Sequence, residues 1–169
     1  MESIPAPAAA LEKFEVRNHW TGAVQFTAEI SATPDMSPRV KLGLAVRWGY
    51  SNGADLSDAD LSGADLSDAV LADCPVKIPD IHKAVYAAAS APGALNMRDW
   101  HCGTAHCRAG WVVTLAGDAG KALEWAMGTP AAAAMIYMAS DPALEKVPNF
   151  YDTNEGALAD MARLAGVEQ

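Results

Sequence analysis

Basic residues are scarce in this chain: 12 Lys and Arg stand against 21 Asp and Glu over 169 residues, a formal charge of -9. That balance argues against direct nucleic-acid binding, because phosphate affinity is drawn from clustered Lys and Arg. It suits solubility, or a partner with a basic surface. Cysteine is scarce as well. Three thiols, Cys74, Cys102 and Cys107, cannot all pair within one molecule and do not resemble the framework of a secreted scaffold, so reduced thiols are expected. No apolar run approaches the roughly 20 residues of a membrane-spanning helix; the longest, over 130–139, is short and rich in alanine. The opening MESIPAPAAA has neither the basic start nor the continuous apolar stretch of a signal peptide. A cytoplasmic protein without membrane contact is expected.

What is present is a globular balance of 51% hydrophobic and 20% charged residues, enough to bury a core without metal or disulfide staples. The organisation expected is a flexible arm over 1–12, then a hairpin, a helix and a repeat over 13–79, then helices over 80–169 packed on them as one unit. KFEVRNHW and AVQFTAEI flank Thr21 and Gly22 and read as a β-hairpin. Ser37 and Pro38 form the N-cap and first-turn pairing that starts helices. Val40, Leu42, Leu44, Ala45 and Trp48 are the apolar positions of that helix, and Ser51, Asn52 and Gly53 end it.

The stretch 54–73 parses without gaps as ADLSD, ADLSG, ADLSD and AVLAD, an internal repeat of period five. Here the sequence resembles the pentapeptide-repeat family, whose members wind a right-handed, four-sided β-solenoid with one repeat on each side. The resemblance implies one coil, with Ala54, Ala59, Ala64 and Ala69 inward beside Leu56, Leu61, Leu66 and Leu71. A lone coil needs caps for its two ends, and the hairpin and helices are expected to supply them. The fold class expected is therefore α+β: hairpin and helix, one coil of solenoid, and a small helical bundle.

Within that bundle, helices are expected over about 80–90, with Ile81, Ala84, Val85 and Ala88 on one face, over 104–116 with Thr104 as N-cap, and over 119–127. The run from Thr129 and Pro130 through AAAAMIYMAS is apolar on nearly every side and reads as the central helix, ended by Asp141 and Pro142. A last helix is expected from Asp152, with Glu155 completing a capping box and Leu158, Met161 and Leu164 as its buried stripe.

Two constellations offer chemistry. In MRDWHCGTAHCRAGW, four residues of metal-ligand type fall within seven positions at His101, Cys102, His106 and Cys107, a spacing that would strain the backbone around one ion. Cys102 and His106 could share a metal only with ligands brought from elsewhere. Cys107 in a first helical turn beside His106 and Arg108 gains thiolate character, yet it shares a stripe with Trp111 and Leu115 that reads as core. The plainest reading makes Cys102 and Cys107 small buried hydrophobes, or an occasional disulfide, that anchor the loop onto the helix, with Gly110 permitting a close helix contact. The remaining one is an anion or nucleotide site at free N–H groups after Thr104, assisted by His106 and Arg108. The segment also resembles a C-x-T-x-H-C-R-A-G-W element of small phage and prophage proteins, matched by Cys102, Thr104, His106, Cys107, Arg108, Ala109, Gly110 and Trp111. That resemblance implies a phage accessory protein in the host cytoplasm and carries no catalytic role.

The second constellation is an acid belt: Asp55, Asp58, Asp60, Asp65, Asp68 and Asp73, with no Lys or Arg between Arg47 and Lys77. Large pentapeptide-repeat proteins that inhibit DNA gyrase imitate duplex DNA with such surfaces, but one coil spreads its carboxylates around four sides and cannot reproduce a long phosphate ladder. A smaller basic pocket, such as the nucleic-acid channel of a host defence complex, remains within reach of one acidic face. The expected function is thus non-enzymatic binding of a host protein, anti-defence or anti-CRISPR-like, with no cofactor. The alternatives are an anionic-ligand or thiol site at the Cys102–Cys107 segment, and a scaffold that self-associates through the alanine-rich helix near Met135 and Tyr137. His19 and His82 are given no role, and the five tryptophans read as core anchors.

Overall fold

The computed structural model describes residues 9–61, 64 and 74–167. Strands β1 (Ala10–Arg17) and β2 (Val24–Ala32) pair antiparallel, Ala10 opposite Ala32 and Val16 opposite Phe26, with a bulge between Val16 and Arg17. β1 starts three residues before the expected Lys13 and ends at Arg17 rather than at Trp20. Asn18 stops it: its side-chain oxygen accepts from the N–H groups of Trp20 and Thr21, a local turn that competes with the ladder. Period-two alternation places Phe14 and Val16 with Ala28, Ile30 and Ala32 on one face.

Helix α1 (Pro38–Ser51) packs on that face, capped by the Ser37 hydroxyl on the Val40 N–H as expected. Its buried seam is Gly43, Ala45, Val46 and Gly49, whereas Val40, Leu42, Leu44 and Trp48 are half-buried. Small residues let helix and sheet approach closely, and the larger ones splay to either side; Trp48 stacks with Phe26 at 6.4 Å between ring centroids.

The remaining helices are α2 (Ile81–Ala89), α3 (Arg108–Leu115), α4 (Gly117–Met127), α5 (Thr129–Ser140) and α6 (Asn154–Ala165), with a two-residue ladder of β3 (His101–Cys102) and β4 (Ala105–His106) before α3. α5 is the centre: every residue from Thr129 to Ala139 is buried, with α3 and α4 packed against it. Met135 and Tyr137, expected near a self-association surface, are covered by the chain's own bundle. Two helix starts also shift. α3 is capped by Cys107, not Thr104, which sits in the β3–β4 turn; α6 is capped by Thr153, whose hydroxyl accepts from the Gly156 N–H. The α6 seam accordingly runs along Ala157, Met161, Ala162 and Ala165, with Leu158 and Leu164 half-buried at its margin.

The start of the repeat is wedged among these parts. Leu56, Ala59, Leu61 and Ala64 are buried, and the same three-residue step recurs at an interval of five: Ala59 N–H donates to the Leu56 carbonyl and Ala64 N–H to the Leu61 carbonyl. Asn18 bridges Ala59, His19 N–H donates to the Asp58 carbonyl at 2.9 Å, and Asp60 N–H donates to the Arg17 carbonyl at 3.0 Å. Val147 N–H reaches the Ala64 carbonyl from the opposite side. The hairpin end and the segment before α6 thus both cover this stretch. The expected continuation of the coil, with Asp65, Asp68, Ala69, Leu71 and Asp73, lies outside the described residues.

Candidate functional site

The two constellations come to lie on different sides of one aromatic cluster. Around the repeat, Asp55 is exposed and Asp58 and Asp60 are half-buried while their apolar neighbours turn in. Asp55 is partly engaged locally: its carboxylate accepts from the Ser57 hydroxyl and N–H, and those bonds hold its pKa below the ordinary value. Asp60 lies 3.3 Å from His19 Nδ1. His19 stacks flat on Tyr151 at 3.6 Å, Trp20 stands edge-on to both rings, and the Tyr151 hydroxyl donates to the Ala59 carbonyl at 3.4 Å. Burial, and then the nearby Asp60 and Asp58, push the Tyr151 phenol well above its usual pKa.

Trp20 is 64% exposed, a projecting aromatic and not a core anchor. Trp125 is also a correction, at 92% exposed on α4, whereas Trp48, Trp100 and Trp111 are half-buried. Trp20 opens onto a cleft of about 750 Å³, lined also by Asp152 and Glu155 with Arg98 as its cation. The acidic belt is therefore continued by carboxylates distant in sequence, around an exposed indole. Neither His19 nor Tyr151 carried a signal in the sequence, because the stack joins residues 132 positions apart.

In the second constellation, Cys102 is exposed and Cys107 fully buried, both as free thiols. The expected pair of buried hydrophobes is thus half right: Cys102 sits on a two-residue strand at the surface, while Cys107 caps α3, its sulfur accepting from the Gly110 N–H at 3.2 Å. Burial pushes the Cys107 thiol up to about 11, the opposite of a nucleophile's shift. Its stripe does not stay buried either; Trp111 is half-buried and Leu115 exposed. Gly110 makes the close approach expected of it, but to a loop: a Cβ there would stand 1.9 Å from the Trp100 carbonyl oxygen.

Several N–H groups after Thr104 already have partners. Those of Arg108 and Gly110 point at the sulfurs of Met97 and Cys107, and that of Cys107 donates to the Asp99 carbonyl. His106 and His101 face each other Nδ1 to Nδ1 at 3.0 Å, and His101 Nε2 meets Glu124 Oε1 at 2.7 Å, where Thr129 also donates. One imidazole of such a pair must accept; burial, then the charge of His101, lowers the pKa of His106. Among the described residues no group of three or more His, Cys, Asp and Glu is placed to hold a metal.

Arg108 turns away from these histidines. Only 1% exposed, it donates from Nε to the Tyr137 hydroxyl at 3.1 Å and from Nη1 to Asp160 at 2.7 Å, and Asp160 also takes Arg163. Burial opposes ionisation of Asp160, but the hydrogen bonds from Arg108 and Arg163 outweigh it and hold the carboxyl below its usual value. Asp160 carried no sequence signal, being 52 positions from the arginine it neutralises.

With this geometry described, the comparisons with known proteins are brief. No curated protein and no solved structure matches the chain. Residues 52–74 match the family described as pentapeptide repeats (8 copies), so the period-five segment beside Trp20 is a pentapeptide-repeat segment.

Proposed function

We propose that the protein is a non-enzymatic binding protein whose acidic, repeat-bearing face docks a basic surface of another protein. One observation carries this reading: the exposed Trp20 shares its cleft with Asp152 and Glu155 and packs on His19 and Tyr151, to which the repeat carboxylates Asp60 and Asp58 lie close. Tryptophan is among the strongest interface anchors, and a cation over its face gains attraction that the flanking acids add to. Asp55 extends the same charge. A Lys- or Arg-bearing loop is the complementary partner, and the nucleic-acid channel of a host defence complex is one source of such a loop. The phage resemblance of the 102–111 segment and the overall charge of -9 agree with that setting.

The test is capture of host proteins on the immobilised chain, comparing the native protein with Trp20→Ala and with an Asp58→Asn/Asp60→Asn variant. A specific partner should be retained by the native chain, lost from both variants, and released as salt rises from 0.05 to 0.5 M, concentrations spanning a Debye length of about 14 to 4 Å. Equal retention by all three proteins would remove Trp20 and its carboxylates as the docking surface.

A further inference from the structure

We infer that Arg108 marks a binding site for a small phosphate monoester, in a cavity distinct from the cleft beside Trp20. Arg108 is buried to 1%, and its Nη2 has no acceptor among the described residues although Nε and Nη1 are both engaged. A buried charged donor left without an acceptor costs more than a neutral one. Such groups persist where an ion, a water or a ligand completes the shell.

The surroundings identify the ligand. Arg108 lines a cavity of about 260 Å³ together with Arg39, Lys146, Arg163, Asp152 and Asp160. Four cations against two carboxylates leave a surplus of two positive charges, in a protein whose formal charge is -9 and which has only 12 basic residues. The cations arrive from separate places: the first turn of α1, the first residue of α3, the segment between α5 and α6, and the end of α6. Donors converging from several directions suit the tetrahedral oxygens of a phosphate better than a planar carboxylate, which one arginine fork satisfies. A dianion neutralises the surplus. Leu144, Val147 and Leu164 form the apolar wall, fitting a short carbon body, and the volume lies just below the usual ligand-pocket range of about 300–1,000 Å³. This site differs from the anion site expected after Thr104: the same Arg108 takes part, but through a buried guanidinium and not through a helix start.

Isothermal titration of the full chain at fixed ionic strength tests it, with inorganic phosphate, glycerol phosphate and succinate as probes. Saturable binding of the two phosphates, weakened about tenfold or more by Arg163→Gln and by Lys146→Gln and unchanged by Lys121→Gln on α4, is the expected result. Arg163 and Lys146 are exposed, so these variants retain the fold. No saturable heat with either phosphate, binding of succinate alone, or affinity indifferent to Arg163 and Lys146 would each overturn the proposal. Asp152 borders both cavities, but neither Arg163 nor Lys146 lines the cleft beside Trp20, so failure here leaves the docking face untouched.

Discussion

Cys107 shows how burial sets the role of a residue whose neighbours in sequence suggest reactivity. A thiol at a helix start beside a histidine and an arginine is the usual recipe for a thiolate, yet the helix closes over this one and its sulfur serves as the cap. At a pKa of about 11, roughly one thiol in a thousand is ionised at pH 8. An aromatic disulfide reagent should therefore label Cys102 at once in the native protein, and Cys107 and the buried Cys74 only after denaturation. Rapid release of two or more equivalents from the folded chain would contradict this assignment. Arg108, next in sequence, follows the same logic with the opposite outcome: it stays charged because Tyr137 and Asp160 are placed to receive it.

Among the elements, α6 depends most on that pairing, since Asp160 joins it to α3 and braces Arg163 on its own surface. The folded pKa of Asp160 is lowered, so it lies below the unfolded value of about 3.9. The pair's contribution is therefore complete above that value and disappears as pH falls through the folded pKa. Asp160→Asn leaves Arg108 buried without its counter-ion and should cost about 3 kcal/mol at pH 7, measured by urea denaturation. The difference between native and variant should shrink when both are compared at pH 3. A gap that is equal at the two pH values would mean that the carboxylate charge is not what holds the helix. Which elements were legible beforehand follows from the range of the forces that make them. The Ser37–Pro38 start and the all-apolar α5 rest on neighbouring residues and stand where the sequence puts them. The start of α3 does not, because Gly103 and Thr104 form the turn of a two-residue ladder before the helix begins. Trp20, Tyr151 and Asp160 owe their roles to partners tens of residues away, and no local pattern announces such contacts.

At the scale of the whole molecule, the repeat contacts both the hairpin and the helical part. The hairpin end hydrogen-bonds to Asp58 and to Asp60, Gln25 donates to the Asp55 carbonyl, and the junction of α4 and α5 presses on Ser57. Gly128 makes that junction: its φ of +82° is a conformation that side chains resist, and a Cβ there would stand 2.5 Å from Ser57 Cα. The atoms it would meet are Cα, Cβ and N of Ser57, whose positions the backbone fixes, so a rotamer change does not relieve the clash. Gly128→Ala should accordingly lose about 2–4 kcal/mol, which for a chain of this size lowers the melting temperature by about 4–16 °C. If the repeat couples hairpin to helices, tryptophan fluorescence and helical circular dichroism shift together and still melt in one transition. Should the helical signal keep its native midpoint while fluorescence melts early, the helices would be stable on their own, and the acidic face around Trp20 would be a separately folding attachment.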